Sequence, residues 1–263
     1  GRTDAGVSAT GQVIGATIRC GNKGDFGDAI TLPVAIMLNS LLPPEIRVLA
    51  VTRAPEGFNA RFSCSYRQYH YYFPRESLDL EAMQEAAELL LGTHDFRNLS
   101  KRDPSKEVQN YVRTILQSGI EPVNSKDTDS PYSMYRYVIR GTAFLYHQVR
   151  CTMAVLFLIG KGYEKPSIIP YLIDEMVDEA WRPSYQMASE IPLVLVDCGF
   201  DMIDFTRSGD DAAGSSAQAK NLQHFYGMWK NSAAQELTIQ SLLPLRGGVV
   251  VHASSKVQVK LRK

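Results

Sequence analysis

The first nine residues hold the clearest candidate for chemistry, the carboxylate of Asp4 in the run Gly1-Arg2-Thr3-Asp4-Ala5-Gly6-Val7-Ser8-Ala9. Glycines on both sides of a short acidic side chain allow a tight turn that leaves space around the carboxylate for a large substrate. A carboxylate presented in this way can act as a nucleophile without a cofactor. An Asp in such a turn also commonly bonds its own backbone, so the residues alone leave both roles open.

The histidines and cysteines show no spacing typical of a metal site. The four cysteines, Cys20, Cys64, Cys151 and Cys198, stand far apart, which disfavours both a zinc knuckle and a secreted disulfide framework and favours reduced thiols. The five histidines also lack the short spacing of paired metal ligands. The residues therefore predict chemistry without a metal.

The overall charge gives no indication of a nucleic-acid binder, because 28 Lys and Arg residues are balanced by 28 Asp and Glu residues. Any RNA-binding surface must come from local groups of basic residues. Such groups occur at Arg61 with Arg67, at Arg136 with Arg140 and in the C-terminal tail, although ordinary solvated surface charge accounts for most of them as well. The sequence contains no run of about twenty apolar residues, so no membrane span is expected.

Periodic segments predict the elements that must position these residues. Strands are predicted over residues 12–20, 46–52, 64–73, 112–120, 132–140 and 192–198, and helices over residues 31–42, 77–91, 146–159 and 168–177, with Ser77 as the cap of the second helix. Residues 208–219 predict a flexible link, and residues 220–243 have helical spacing. This order favours an α+β fold with two sheet-forming lobes over a doubly wound parallel sheet.

Several segments, in chain order, carry a resemblance to one protein family. They are the run at residues 1–9, Arg61-Phe62-Ser63 with Arg67-Gln68-Tyr69-His70-Tyr71, Gly92-Thr93-His94-Asp95-Phe96 with Arg113-Thr114-Ile115, Phe144-Leu145-Tyr146-His147-Gln148-Val149-Arg150 with Gly160, and Pro192-Leu193-Val194-Leu195-Val196-Asp197-Cys198. Together they resemble the TruA-like tRNA pseudouridine synthases over residues 1–200. Ser8 and the segments 96–99 and 146–151 are most similar to the eukaryotic Deg1 branch, whereas Ala5 departs from the Lys that this branch often carries.

The resemblance implies an α+β fold of two ferredoxin-like (RRM-like) lobes, with a mixed, largely antiparallel sheet, helices on one face and a central catalytic cleft. Residues 1–62 would be the remainder of the N-terminal lobe, residues 63–204 the C-terminal lobe, and residues 205–263 a linker, a helix and a basic tail. Family members normally carry a strand and a helix before the signature at residues 1–9. We therefore expect those two elements to be missing here, and the chain to be poorly active and unstable alone because a sheet edge is left unpaired.

The activity implied by the resemblance is the isomerisation of uridine to pseudouridine in the anticodon stem-loop of tRNA, at positions 38 and 39 for the Deg1 branch. The expected partner is the anticodon arm of tRNA, and the expected reaction uses no cofactor and no metal. A homodimer is left open beside a monomer, and no association with a membrane is expected. The nucleus or the cytoplasm is the expected compartment, with an organelle left open.

Three residues would carry the catalysis if the family's roles apply. Asp4 would be the nucleophile, attacking the sugar or assisting its deprotonation while the bond from C1′ to N1 is replaced by one to C5. Tyr69 would stack on the flipped uracil or transfer a proton, although an ordinary core aromatic fits the same position. Arg150 would pair with Asp4 and keep it ionised, and its alternative is an unrelated ion pair.

The same resemblance implies that four further residues would contact the RNA. Arg2 would hold the duplex open and help to extrude the target nucleotide, since a stacked base cannot be reached, or would simply contact a phosphate. Arg61 and Arg67 would bind the RNA, and Leu193 would pack against the base unless it is a plain core residue.

Two other function classes compete with the isomerase. A tRNA-binding module or tRNA folding assistant would use the same basic surface without catalysis. A phosphate-ester hydrolase would need several carboxylates around a magnesium ion, and the first twenty-five residues offer only Asp4 and Asp25. The hydrolase is therefore disfavoured, and the binding module remains the alternative to the enzyme.

Overall fold

The computed structural model describes residues 1–17, 34–103, 110–124, 130–175, 183–203, 205 and 212–240. The chain forms two compact units, one made of Gly1–Lys23 with Arg53–Asp204 and the other of Gly24–Thr52 with Phe205–Lys263. The lobe boundaries expected from the sequence, at residues 62 and 204, stay a prediction. No helix in the described part of the chain is both long and apolar enough to cross a membrane.

The first unit is built on a six-stranded sheet. Its strands are Ser8–Ala9 (β1), Tyr66–Pro74 (β2), Gly92–Asp95 (β3), Val112–Pro122 (β4), Met134–Gly141 (β5) and Leu193–Gly199 (β6). Their order across the sheet is β1-β6-β2-β5-β4-β3. Only the pair β1–β6 is parallel, and the other four pairs are antiparallel. The predicted α+β class with a mixed, largely antiparallel sheet is therefore confirmed.

The described helices are Val34–Leu41 (α1), Leu80–Glu88 (α2), Gln148–Gly160 (α3), Ile168–Pro170 (α4) and Ala212–Gln240 (α5). A single π-helical turn at Tyr171–Glu175 follows α4 directly. Asp79 caps α2, because its carboxylate accepts from the backbone N–H of Ala82 at 3.0 Å, so the prediction of Ser77 as the cap is wrong. Asp79 immediately precedes the first helical residue, where its short side chain can reach an N–H group that has no partner within the helix.

The core lies between the sheet and α2 with α3. The alternate residues Tyr69, Tyr71 and Phe73 of β2 belong to this core, because alternate side chains of a strand point to the same face. His70, on the opposite face, is also buried. Phe157 of α3 meets Phe73 edge-to-face, with ring centroids 5.6 Å apart. A Cβ at Gly160 would lie 2.5 Å from the Met83 sulfur, so glycine there lets α3 approach α2 closely. This packing fixes β2 and α2 against the C-terminal end of α3.

Two predicted strands are not formed in the residues that the structure describes. Residues 12–17 belong to no strand, and residues 18–20 lie outside the described part of the chain. Residues 46–52 also belong to no strand, since the backbone of Val48 is bound by side chains instead: its N–H donates to Asn39 at 2.7 Å and its carbonyl accepts from Asn221 at 3.0 Å. An alternating pattern supplies two faces, but a strand also needs a neighbouring backbone edge.

The second unit contains α1 and α5. Asn39 of α1 donates to the side chain of Asn221 on α5 at 3.2 Å, and Asn221 is buried. The predicted helices over 31–42 and 220–243 are present in their described parts. The flexible link predicted over 208–219 is wrong from residue 212 onward, where α5 has already begun, and its residues 208–211 lie outside the described ranges.

Candidate active site

Asp4 lies in a tight turn, in which the backbone N–H of Val7 donates to the Asp4 carbonyl oxygen at 3.3 Å. Gly6 completes the turn with a φ of +83°, a conformation that is costly for any residue with a Cβ. The side chain of Asp4 is 29% exposed, and within the described ranges it makes no hydrogen bond to the backbone of its own turn. The carboxylate is therefore available to a substrate.

The segment after the turn is held against β6. Ser8 and Ala9 pair in parallel with Val194 and Leu195, and the carbonyl of Leu195 also accepts from the backbone N–H groups of Thr10 at 2.9 Å and Gly11 at 3.3 Å. A Cβ at Gly11 would lie 2.2 Å from the carbonyl oxygen of Val196, so only glycine permits this approach. These contacts position the Asp4 turn beside the first residue of β6, Leu193.

A cavity of about 970 Å³ opens beside Asp4. The residues that line it come mainly from the Asp4 turn, the loop before β2, β2 itself, the β5–α3 connection, the start of α3 and the start of β6, with single residues from β4 and from the segments at 103 and 190. All seven residues singled out from the sequence line this cavity: Arg2, Asp4, Arg61, Arg67, Tyr69, Arg150 and Leu193. The fold therefore brings together residues that are up to 191 positions apart in the chain. Their individual roles stay predictions.

Tyr69 is the buried aromatic of this cavity. Its ring meets that of Phe144 edge-to-face, with centroids 5.3 Å apart. Burial raises the pKa of Tyr69 to about 12, and the negative charges of Cys198 and Asp4 act in the same direction, whereas Arg67 opposes them. The phenol is therefore protonated at neutral pH, so it can donate a proton or a hydrogen bond but cannot act as an anionic base.

Arg150 lines the same cavity as Asp4, but the predicted ion pair between the two is absent. The Arg150 guanidinium donates to the Glu190 carboxylate at 2.7 Å and to the Ala188 carbonyl at 2.8 Å. Its side chain is only 11% exposed, so its charge needs a nearby partner, and Glu190 supplies one. The prediction that Arg150 clasps Asp4 directly is wrong for this structure.

Glu190 connects Arg150 to the Asp4 turn. A Cβ at Gly6 would lie 2.7 Å from Cγ of Glu190, so the turn rests directly on this side chain. The backbone N–H of Leu193 also donates to the Glu190 carbonyl at 3.0 Å, which fixes the start of β6. Arg150 is therefore linked to the Asp4 turn through Glu190, and its role in catalysis stays a prediction.

The imidazole of His147 contacts the carboxylate of Asp4, with Nε2 3.5 Å from Oδ2. Its backbone has a φ of +59°, which is uncommon for a residue other than glycine, and its ring stacks on Tyr146 with centroids 3.7 Å apart. Burial lowers the pKa of His147, and Asp4 opposes this shift. The imidazole is therefore mostly neutral at neutral pH, and it lies within reach of the carboxylate.

The cavity is more basic than the chain as a whole. Five arginines line it (Arg2, Arg61, Arg67, Arg113 and Arg150) against three acidic residues (Asp4, Asp103 and Glu190). Arg67 donates to the carbonyl of Thr142 at 3.1 Å and to that of Arg61, which places its side chain across the loop before β2. A net positive lining within a neutral chain provides the local charge that an RNA backbone would need.

Among the other residues of the lining, His147, Phe62 and Glu190 were not singled out from the sequence. His147 lies within the family-like segment 144–150. Its position after the two aromatic residues of that segment and before Arg150 could have identified it. Phe62 lies within the quoted segment 61–63, and its exposure inside a basic cavity cannot be read from a pattern. Glu190 carried no signal, because an acidic residue before a strand is common. Among the described residues no group of three or more His, Cys, Asp or Glu side chains could hold a metal ion.

Comparisons with known proteins agree on one family. A family model described as tRNA pseudouridine synthase matches residues 86–201. A tRNA pseudouridine(38/39) synthase of Bos taurus is 41% identical over 259 residues, which are 92% of this chain and 52% of that protein. A protein of the same name from Saccharomyces cerevisiae is 43% identical over 211 residues, 78% of this chain and 46% of that protein.

This chain covers a larger share of a more distant relative. The tRNA pseudouridine synthase A of Methanothrix thermoacetophila is 34% identical over 205 residues, which are 78% of this chain and 68% of that protein. The chain spans about half the length of the curated eukaryotic proteins that it matches.

Proposed function

Because this chain belongs to the tRNA pseudouridine synthase family, we propose that its cavity isomerises uridine to pseudouridine in tRNA. The observation that supports this most strongly is the placement of Asp4, Tyr69 and Leu193 around one cavity of about 970 Å³ with five arginines in its lining. Such a cavity offers a partly exposed carboxylate, a protonated phenol and an apolar wall to a nucleoside. The arginines offer counter-charges to the phosphates around it.

The reaction is an isomerisation that gains and loses no atoms overall. The bond between C1′ and N1 of uridine breaks, the uracil ring turns, and a bond forms between C1′ and C5. The proton on C5 leaves and N1 is protonated in its place. Asp4 starts the sequence, either by attacking C1′ or by removing a proton from the sugar, and no step needs an oxidant, a reductant or a cofactor.

The other residues divide the remaining work. Tyr69 stacks against the extruded uracil or passes a proton, which its raised pKa allows it to do as a donor. Leu193, which is buried beside it, packs against the base. Arg2 is exposed at the Asp4 turn, where it can enter the duplex and hold the target nucleotide out of the stack. Arg61 and Arg67 contact the RNA backbone.

The substrate that fits this family is the anticodon stem-loop of tRNA. The relatives from cattle and yeast are both named for positions 38 and 39, and we propose the same two uridines for this chain. We also propose that the whole protein has two ferredoxin-like lobes and that a homodimer lays one tRNA across both chains. The proposed place of action is the nucleus or the cytoplasm.

Pseudouridine mapping in tRNA tests the proposed function. tRNA is compared from cells that lack the gene, from cells given the gene back, and from cells given the Asp4→Asn form. Loss of pseudouridine at positions 38 and 39, restored only by the unchanged gene, is the expected result. A map that is identical in all three samples would sink the proposal, and restoration by Asp4→Asn would leave the family but remove Asp4 from the chemistry.

A further inference from the structure

The aromatic ring of Phe62 is exposed to solvent at the cavity. Its side chain is 77% exposed, although it lines the same cavity as Asp4 and the buried Tyr69. An aromatic residue that stands alone on a surface is ordinary in a folded protein. Here, however, the ring stands in a lining that is otherwise rich in charge, and the chain immobilises it there.

The loop that carries Phe62 is fixed by its own hydrogen bonds. The Asn59 side chain accepts from the backbone N–H groups of Arg61 at 2.9 Å and Phe62 at 3.2 Å. The Asn59 carbonyl accepts from Phe62 at 3.1 Å and from Ser63 at 2.8 Å, and the Ser63 hydroxyl accepts from the Asn59 N–H at 3.1 Å. Five hydrogen bonds within five residues make this turn rigid, so the exposed position of Phe62 is built in.

One arginine lies over the ring, and a second arginine is bonded to the backbone of the first. The Arg61 guanidinium lies 5.2 Å from the centre of the Phe62 ring, and Arg67 donates to the Arg61 carbonyl. An aromatic ring beside a cation, with a second arginine nearby, matches the chemistry of a nucleotide, whose base stacks on the ring while its phosphates meet the positive charges. A protein partner would be expected to bury the ring among apolar neighbours, whereas the residues on either side of Phe62, Arg61 and Ser63, are polar.

On the basis of the proposed function, we propose that Phe62 is a stacking platform for a base of the substrate RNA. The base is that of a nucleotide next to the target, because Phe62 lies at the exposed end of the cavity, whereas Tyr69 and Leu193 form its buried end. Phe62 therefore contributes to RNA affinity and to the choice of target, and it is not a catalytic residue. Its contribution does not depend on charge.

A measurement of RNA affinity tests this role of Phe62. An anticodon stem-loop RNA is titrated into the full-length gene product carrying Asp4→Asn, with and without Phe62→Leu, so that no RNA is turned over. Leucine keeps an apolar side chain but removes the aromatic face. Loss of one base-stacking contact should weaken binding by roughly 5- to 150-fold. The dependence of affinity on salt should keep its slope, because no phosphate contact is lost.

Two further variants separate base stacking from a general effect of removing an exposed aromatic ring. Phe62→Trp keeps an aromatic face and should bind as the parent does, with indole fluorescence that changes on adding RNA. Tyr163→Leu is the matched control, because Tyr163 is 74% exposed in the same unit but lies outside the cavity lining, and it should leave affinity unchanged. The melting temperature should be the same for all variants, since no buried contact is removed.

Several outcomes would overturn the inference. They are unchanged affinity in Phe62→Leu, an equal loss in Phe62→Trp, an equal loss in Tyr163→Leu, or a fall in melting temperature that accounts for the loss. The proposed function is tested separately by pseudouridine formation in the protein that retains Asp4. If that protein binds the RNA but forms no pseudouridine, the proposed function fails while the stacking measurement still stands.

Discussion

Replacing Arg150 by methionine should loosen the segment that supports the Asp4 turn. Methionine fills similar space in α3 but cannot donate hydrogen bonds. The change removes the 2.7 Å contact to Glu190 and the 2.8 Å contact to the Ala188 carbonyl. The Asp4 turn should then lose its support at Gly6, so both the free energy of unfolding and the activity should fall.

The loss of stability can be worked out from these contacts. A hydrogen bond to a charged group contributes about 1.5 to 3 kcal/mol. The Glu190 side chain is 37% exposed, so after the change its carboxylate regains contact with water and the loss falls in the lower part of that range, about 2 kcal/mol. In a chain of this size, about 2 kcal/mol corresponds to a fall in melting temperature of roughly 4 to 8 °C.

Two double-mutant cycles followed by urea unfolding identify the partner of Arg150. The first combines Arg150→Met with Glu190→Gln, and its coupling energy should be about 1 to 2 kcal/mol, as for two side chains in direct contact. The second combines Arg150→Met with Asp4→Asn and should give a coupling below about 0.5 kcal/mol. A larger coupling to Asp4 than to Glu190 would refute this reasoning and restore the direct pair predicted from the sequence.

Three further changes have defined outcomes. Gly6→Ala should lower the free energy of unfolding by about 2 kcal/mol in urea unfolding, since the new Cβ is strained at a positive φ and meets Glu190 at 2.7 Å. Tyr69→Phe should flatten the alkaline loss of stability: burial raises the pKa of Tyr69 to about 12, so the unfolded phenol ionises first and stability falls by about 1 kcal/mol between pH 9 and pH 11. Asp79→Ala should cost about 1 kcal/mol of stability through the lost helix cap.

Each of these changes has a matched control. Gly57 has a φ of +74° with open space around its Cβ position, so Gly57→Ala measures the backbone strain alone and should cost about 1 kcal/mol. Ser77→Ala should be close to neutral, because Asp79 and not Ser77 caps α2. Equal costs at Gly6 and Gly57, equal costs at Ser77 and Asp79, or a Tyr69→Phe protein with the same alkaline slope as its parent would contradict the respective prediction.

The sequence predicts well the elements that combine a clear alternation of apolar residues with a neighbouring strand to pair with. Residues 64–73 alternate clearly, and β2 forms there because β5 and β6 offer it an edge on each side. The weaker pattern at 46–52 failed, because the side chains of Asn39 and Asn221 bind its backbone where a strand would have to. A single sequence does not show which backbone edges or side chains will be available.

The sequence motifs identified residues of the candidate site, but they did not predict the contacts between those residues. Asp4, Tyr69 and Arg150 stand in segments whose residue types resemble one family, and the fold places them around one cavity. Arg150 bonds to Glu190, which is 40 residues away in the chain, and Asp4 contacts His147, whose backbone is left-handed. Long-range pairing and backbone strain of this kind follow from tertiary packing, which no local pattern records.

The release of the C5 proton tests the central proposal most directly. tRNA carrying tritium at C5 of its uridines is incubated with the full-length gene product, and the released tritium is counted beside the Asp4→Asn form. The unchanged protein should release tritium in step with pseudouridine formation, and Asp4→Asn should release it at least about a thousandfold more slowly while binding the same tRNA. Release at the same rate from both proteins would show that Asp4 does not carry the reaction.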